Sequence, residues 1–168
     1  EARFDGAGLS HCAHCDAPLY AGQAVAAAGS DAWAVEEAIV LAEHAASVTL
    51  IVPDMLAAPD ERVSLLRGLG NVDVVTGSIT ALEGQDALEG VRIADGQDER
   101  QVAARGLFLQ TGRTPARAFL PAAVTAADGV FFAGDVRDGA ERTIASAIAD
   151  GTKAGQNAVE WVRSRRGA

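Results

Sequence analysis

Positive charge is scarce in this chain: 14 Lys and Arg stand against 23 Asp and Glu, for a net charge of −9 and a pI near 4.7. A protein that grips nucleic acid through its phosphates needs a cationic face to displace counterions, so a nucleic-acid partner is not expected. Long apolar runs are missing too. None approaches the roughly 20 residues that span a bilayer, and the first residues do not resemble a signal peptide. The expectation is a soluble, cytoplasmic protein with no membrane partner. Cysteine is nearly absent, with 2 in 168 residues. Because only two residues separate them, they cannot staple distant segments, which excludes the disulfide framework of small secreted domains. What the chain does have is a 49% hydrophobic content rich in Ala and Gly, suited to close packing of helices on a sheet. Its length fits one large domain or two small ones.

Both cysteines lie in His11-Cys12-Ala13-His14-Cys15-Asp16. Disulfide exchange needs one thiolate and a second sulfur near enough to resolve the mixed disulfide. Two intervening residues supply that reach if the chain turns, above all at a helix start, where the N-terminal dipole favours a thiolate. His11 and His14 can add positive charge. Two other readings stay open: inert buried cysteines, and a zinc site of His11, Cys12, His14 and Cys15. Four ligands on so short a loop converge poorly on a tetrahedron, and no second ligand pair follows downstream. A Cys-x-x-Cys just ahead of a βαβ pattern reads first as a redox pair.

Residues 1–10 carry Gly6 and Gly8 and read as a connecting segment. A strand is expected over 23–28, and helical spacing over 32–45 puts Val35, Ile39 and Ala42 on one face, with Glu36, Glu37 and Glu43 off it. The β-branched run 48–52 ends at Pro53. A helix over 60–69 and a strand over 72–76 follow. Short antiparallel strands are expected at 79–82, 91–94 and 101–103, with Asp95-Gly96 as a turn signal. Further strands are expected at 106–110 and 130–133, with loop between them. A final helix over 143–163 aligns Ile144, Ile148, Gly151, Gly155, Ala158 and Val162 in one stripe. Alternating strands and helices imply an α/β fold with a Rossmann-like, mostly parallel sheet and a small antiparallel sheet.

Gly29-Ser30-Asp31-Ala32-Trp33-Ala34 stands where a dinucleotide fingerprint has Gly-x-Gly-x-x-Ala. Gly29 and Ala34 are kept, but Asp31 replaces the second glycine and places a carboxylate where a pyrophosphate would sit. Like charges there cost on the order of 1 kcal/mol or more. Trp33 is also large for a residue facing a ligand. After the next strand comes Val52-Pro53-Asp54, with no arginine for a 2′-phosphate. That argues against NADPH, while Asp54 is placed to accept a ribose hydroxyl of NADH. NAD(P)H as electron donor is therefore doubtful.

HCAHCD at 11–16, AVEEA at 34–38, TGRTP at 111–115 and FFAGDV at 131–136, in that order, resemble thioredoxin reductase and the flavoprotein subunit of alkyl hydroperoxide reductase. The resemblance runs over nearly the whole chain, but not over the N-terminal βαβ half that holds the FAD pyrophosphate in those proteins. It implies a connecting segment 1–10, an NAD(P)-binding-like domain 11–104 carrying the Cys-x-x-Cys, and the C-terminal half of an FAD-binding domain over 105–168. The other half is expected from a second chain or from a longer protein of which this is a fragment. The resemblance further implies Cys12 and Cys15 as the redox pair and Asp16 as a proton relay. Gly134, Asp135, Arg142, Thr143 and Ile144 are implied at the FAD, and Gly112 and Arg113 join Gly29 and Asp54 at the nucleotide. Thr143 and Ile144 depart from the usual Arg-Gln-Ala at that place.

The expected function is a flavin-dependent disulfide oxidoreductase, or a subunit of one, passing electrons between FAD and Cys12–Cys15. Expected partners are a thioredoxin-like protein or small disulfide, and a second chain or a second copy of this one. The competing expectations are a degenerate scaffold subunit and a free-standing nucleotide-binding module.

Overall fold

The computed structural model describes residues 2–112, 114–121, 124, 128–140 and 143–166. The chain forms two compact units, residues 1–112 and 113–168.

The first unit is built on a five-stranded, wholly parallel sheet. Its strands are β1 (Leu9–Ser10), β2 (Ala24–Ala28), β3 (Ser47–Val52), β4 (Val72–Thr76) and β8 (Gly106–Leu109), in the order β1-β8-β2-β3-β4. A parallel sheet has both faces covered, so its strands read as continuous apolar runs. In β2 the alternation sorts its residues to the two faces. Val25 and Ala27 join one core with Val35, Ala38, Leu41, Leu50 and Phe108, while Ala26 and Ala28 join another with Phe4, Ile51, Val91, Ile93 and Leu107. The first core packs under α2 (Ala32–Ala42), with α3 (Asp60–Gly68) beside it. The second packs under the antiparallel sheet β5 (Ser78–Glu83), β6 (Gly90–Asp95) and β7 (Asp98–Ala103). An alanine-rich central strand lets both layers approach closely. Asn71 caps the end of α2, its Nδ2 donating to the carbonyls of Ala42 and Ala45 at 2.9 and 3.1 Å. That bond closes the helix at 42 rather than 45.

The β6–β7 hairpin pairs Asp95 with Asp98, so Gly96 opens a two-residue loop, at φ 64°. Residues 1–10 depart from the reading as a mere connector. Leu9 and Ser10 pair in parallel with Leu107 and Phe108, and Phe4 is buried in the second core. Two residues are too short for periodicity to announce a strand. Strand β8 lies in the sheet of the first unit, so the expected boundary after residue 104 falls inside that unit.

In the second unit a turn at Gly134–Val136 precedes α4 (Ile144–Arg166). The turn is tied to the helix: the Gly134 N–H donates to Asp150 Oδ2 at 3.2 Å, and Arg137 pairs with Asp150. Residues 130–133 are not a strand, contrary to expectation. Among the described residues of this unit no second strand exists to accept their hydrogen bonds, and an unpartnered strand gains nothing over irregular chain.

Candidate functional site: a disulfide turn held by three buried polar side chains

Cys12 and Cys15 form a disulfide. Cys12 is the N-cap of α1 (Ala13–Asp16), and its Sγ accepts the Cys15 N–H at 3.2 Å. The cap thus directs a backbone N–H at the sulfur of Cys12. Cys15 is exposed and Cys12 half-buried, so neither is an inert core cysteine. Joined to each other, neither sulfur is a thiolate available to a metal.

Asp16 closes α1. Its Oδ2 accepts the hydroxyl of Ser10 at 2.7 Å, and Ser10 Oγ in turn accepts the Cys12 N–H at 3.1 Å. The short strand β1 thus delivers a hydroxyl that joins the first cysteine's backbone to the acid after the second. Burial, and secondarily the negative charge of Asp16, raise the pKa of Tyr20 above the usual phenol range. Tyr20 also meets Phe108 edge-on, with centroids 5.4 Å apart.

Beneath the turn lies Glu37, with no solvent exposure. Its Oε2 accepts the Ala13 N–H and, at 3.1 Å, the Gln110 side-chain amide, while its Oε1 meets His14 Nδ1 at 2.8 Å. Gln110 Nε2 also donates to the His11 carbonyl at 3.0 Å. Ser10, Glu37 and Gln110 are the buried polar side chains among the described residues, and all three bond to residues 11–16. Sequence reasoning missed them. Glu37 was placed off the buried face, yet Ala34, Glu37, Ala38 and Leu41 share one stripe at three- and four-residue spacing, and all are buried. That spacing was the available signal. Trp33 stacks its ring on His14, with centroids 6.0 Å apart and planes 21° apart.

The expected nucleotide residues separate. A cleft of about 760 Å³ opens at the carboxyl ends of β2, β3 and β8, the place where such sheets bind dinucleotides, and Gly29 and Gly112 line it. Gly29 sits at φ 149°, where an added Cβ would fall 2.3 Å from the Gln110 carbonyl oxygen, so glycine is required there by packing alone. Asp54 is exposed and is not among the residues lining the cleft. Arg113 lies outside the described residues. Asp31 is the N-cap of α2, its Oδ1 accepting the Ala34 N–H at 2.9 Å. The helix terminus that would receive a pyrophosphate therefore already carries its own carboxylate. Of the residues lining this cleft, Asp31 is the one whose charge opposes a pyrophosphate at the start of α2.

Of the expected FAD residues, Gly134 is buried at φ 67° and an added Cβ would sit 3.3 Å from that of Ala147. This close approach presents Asp135, exposed, at the turn. Thr143 Oγ1 accepts the Ser146 N–H at 3.1 Å, and Ile144, 83% exposed, begins α4. Arg142 lies outside the described residues. The second unit thus presents a tight glycine turn with an exposed acid beside the exposed apolar start of α4.

No protein-family model matches the chain. It is 35% identical over 174 aligned positions to one subunit of the alkyl hydroperoxide reductase of Pseudomonas putida, covering 92% of this chain and 34% of that protein. Thioredoxin reductase from Lactococcus lactis superposes with a TM-score of 0.81 at 24% identity, over 98% of this chain and 61% of the other. The T. acidophilum thioredoxin reductase gives 0.77 at 25% identity, over 98% and 60%. The chain thus spans about a third of the length of the curated relatives it matches. Among the described residues no helix is long and apolar enough to cross a membrane.

Proposed function

With the similarity to these flavoprotein disulfide reductases as premise, we propose that the chain carries the dithiol/disulfide centre, and part of the FAD site, of a flavin-dependent disulfide oxidoreductase. The observation that carries this is the Cys12–Cys15 disulfide at a helix N-terminus, with Asp16 and its Ser10 bond alongside. The NAD(P)-binding-like region, expected over 11–104, lies within the first unit, and Gly134, Asp135, Arg142, Thr143 and Ile144 are the chain's FAD residues.

Bound FAD supplies a two-electron carrier. The Cys12–Cys15 pair accepts two electrons and two protons as its S–S bond breaks, with Asp16 relaying a proton at the turn. The dithiol then attacks a partner disulfide, on a thioredoxin-like protein or a small molecule. Cys15, the more exposed, forms the mixed disulfide and Cys12 resolves it, which returns the S–S bond and releases the partner as a dithiol. Because Asp31 occupies the pyrophosphate position, the electron donor is a protein or thiol rather than NADH or NADPH, or the flow runs in reverse from dithiol to oxygen. The remainder of the FAD site comes from a second chain or from the rest of a longer protein, in the cytoplasm.

The test is the visible spectrum of the protein together with whatever co-purifies. A flavin band bleached by dithiothreitol, but unchanged by NADH or NADPH, supports the reading. Rapid bleaching by NADPH sinks the donor assignment. A scaffold role is separated by Cys12→Ser and Cys15→Ser, which leave disulfide-reducing turnover of the complex intact only if this chain has no redox task.

A further inference from the structure

Glu37 has no part in the electron path just described, yet it is a fully buried carboxylate whose acceptor capacity is directed at the redox turn. A carboxylate buried without an arginine or lysine is costly, so its retention calls for a task. Two of its three bonds end on Ala13 and His14, the two residues between the cysteines. The third, from Gln110, reaches the same turn through the His11 carbonyl. His14 Nδ1 faces Glu37 Oε1 at 2.8 Å, and stacking on Trp33 fixes the ring plane.

We infer that Glu37 is a positioning residue that holds the Cys12–Cys15 turn closed when the disulfide is reduced, and thereby sets the reduction potential of the pair. Reduction brings in two electrons and two protons, breaks the S–S bond and forms two thiols. None of the bonds to Glu37 involves sulfur, so all survive the opening of the covalent ring. A turn already shaped for closure gives the two thiols a high effective concentration, and that favours the disulfide. Without the clamp the reduced turn samples open conformations, and the disulfide loses that advantage.

The inference rests on the thiol–disulfide reading above, and one experiment separates the two. The full chain is equilibrated at fixed pH in mixtures of reduced and oxidised dithiothreitol, then alkylated, and the free thiols are counted by mass. Glu37→Gln keeps shape and an acceptor oxygen for the Ala13 N–H, but turns the oxygen facing His14 into an amide that donates, so a ring protonated on Nδ1 loses its acceptor. It is expected to make the disulfide about tenfold easier to reduce, a rise in potential of about 30 mV. His14→Leu, at a half-exposed side chain, removes one bond without touching the core and is expected to shift the equilibrium in the same direction by about threefold. His14→Asn, whose amide can donate from near the Nδ1 position, is expected to restore the wild-type value. A wild-type pair that cannot be cycled overturns both readings. A wild-type pair that cycles, with Glu37→Gln and His14→Leu unchanged from it, overturns the clamp alone. Should Glu37→Gln fail to fold, the contrast between His14→Leu and His14→Asn decides.

Discussion

Cys12 and Cys15 are chemically alike and placed differently. Cys12 caps a helix with its sulfur, and Cys15 lies exposed one turn on. An incoming disulfide therefore meets Cys15 first. Cys12→Ser, which leaves that nucleophile and removes the resolving sulfur, is expected to accumulate a stable mixed disulfide with a small-disulfide probe such as glutathione disulfide. Cys15→Ser is expected to accumulate several-fold less. Mass spectrometry of the adducts reads the difference, and equal trapping by both variants would refute the assignment. Tyr20 reports on the same corner. It is the only tyrosine in the chain, so its phenolate absorbance is unambiguous. Burial first and Asp16 second raise its pKa, so the folded state holds the phenol proton more tightly than the unfolded chain. That contribution to stability is complete below the unfolded value of about 10 and is lost as pH rises through the folded one. The phenolate band is expected above pH 10, and Asp16→Asn is expected to lower the midpoint only in part, because burial remains. An Asp16→Asn midpoint equal to or above wild type would show that the charge does not act there.

The helix α2 shows how one element serves two purposes, and why only one was legible. Its existence follows from the apolar spacing, but of the face that spacing gives, Val35 is fully buried while Ile39 and Ala42 are half-buried, and Ala34, Ala38 and Leu41 complete the packed stripe. The central strands β2, β3 and β4 and the β6–β7 turn were legible for similar reasons: apolar runs ended by Pro53 or by glycine leave little choice of conformation. Glu37 was not, because assigning a helix face by polarity sends every glutamate to solvent, and only the turn folded above it makes burial worthwhile. Strand β1 was hidden by its length, and the Val130–Ala133 reading erred because apolar character does not supply a pairing partner. At the candidate site, the paired cysteines were legible from their spacing, whereas Ser10, Glu37 and Gln110, brought in from three separate elements, were not. Asp31 separates stability from ligand choice within this helix. Asp31→Ala is expected to cost about 1 kcal/mol through the lost cap, and Asp31→Gly only a few tenths. Asp31→Gly also removes the carboxylate from the start of α2 where it lines the cleft, and is expected to gain an NADH-induced rise in melting temperature absent from the wild type. A wild-type chain already stabilised by NADH would refute the reading of the cleft.

Across the whole molecule, stability is unevenly distributed. The first unit has two cores, one on each face of its parallel sheet, and β2 is hydrogen-bonded on both edges, to β3 and to β8. Truncating Leu41 or Leu50 to alanine there is expected to cost about 2–5 kcal/mol. In α4, by contrast, no residue is buried, and Ile144, Ile148, Val159 and Val162 are exposed. The Asp150 pair with Arg137, which lowers the aspartate's pKa, ties this helix to the Gly134 turn. Helices gain most of their stability from packing an apolar face rather than from propensity, so α4 is expected to open far more often than the sheet. Amide hydrogen exchange on the full chain tests this. Exchange in β2, β3 and β8 is expected to be slowest and to require global unfolding, whereas α4 is expected to exchange orders of magnitude faster through local opening. Protection in α4 equal to that in β2 would show that the helix is held as firmly as the sheet. The exposed face of α4 would then need no covering by the rest of a flavin domain, and the proposal that this chain supplies only part of the FAD site would lose its physical support.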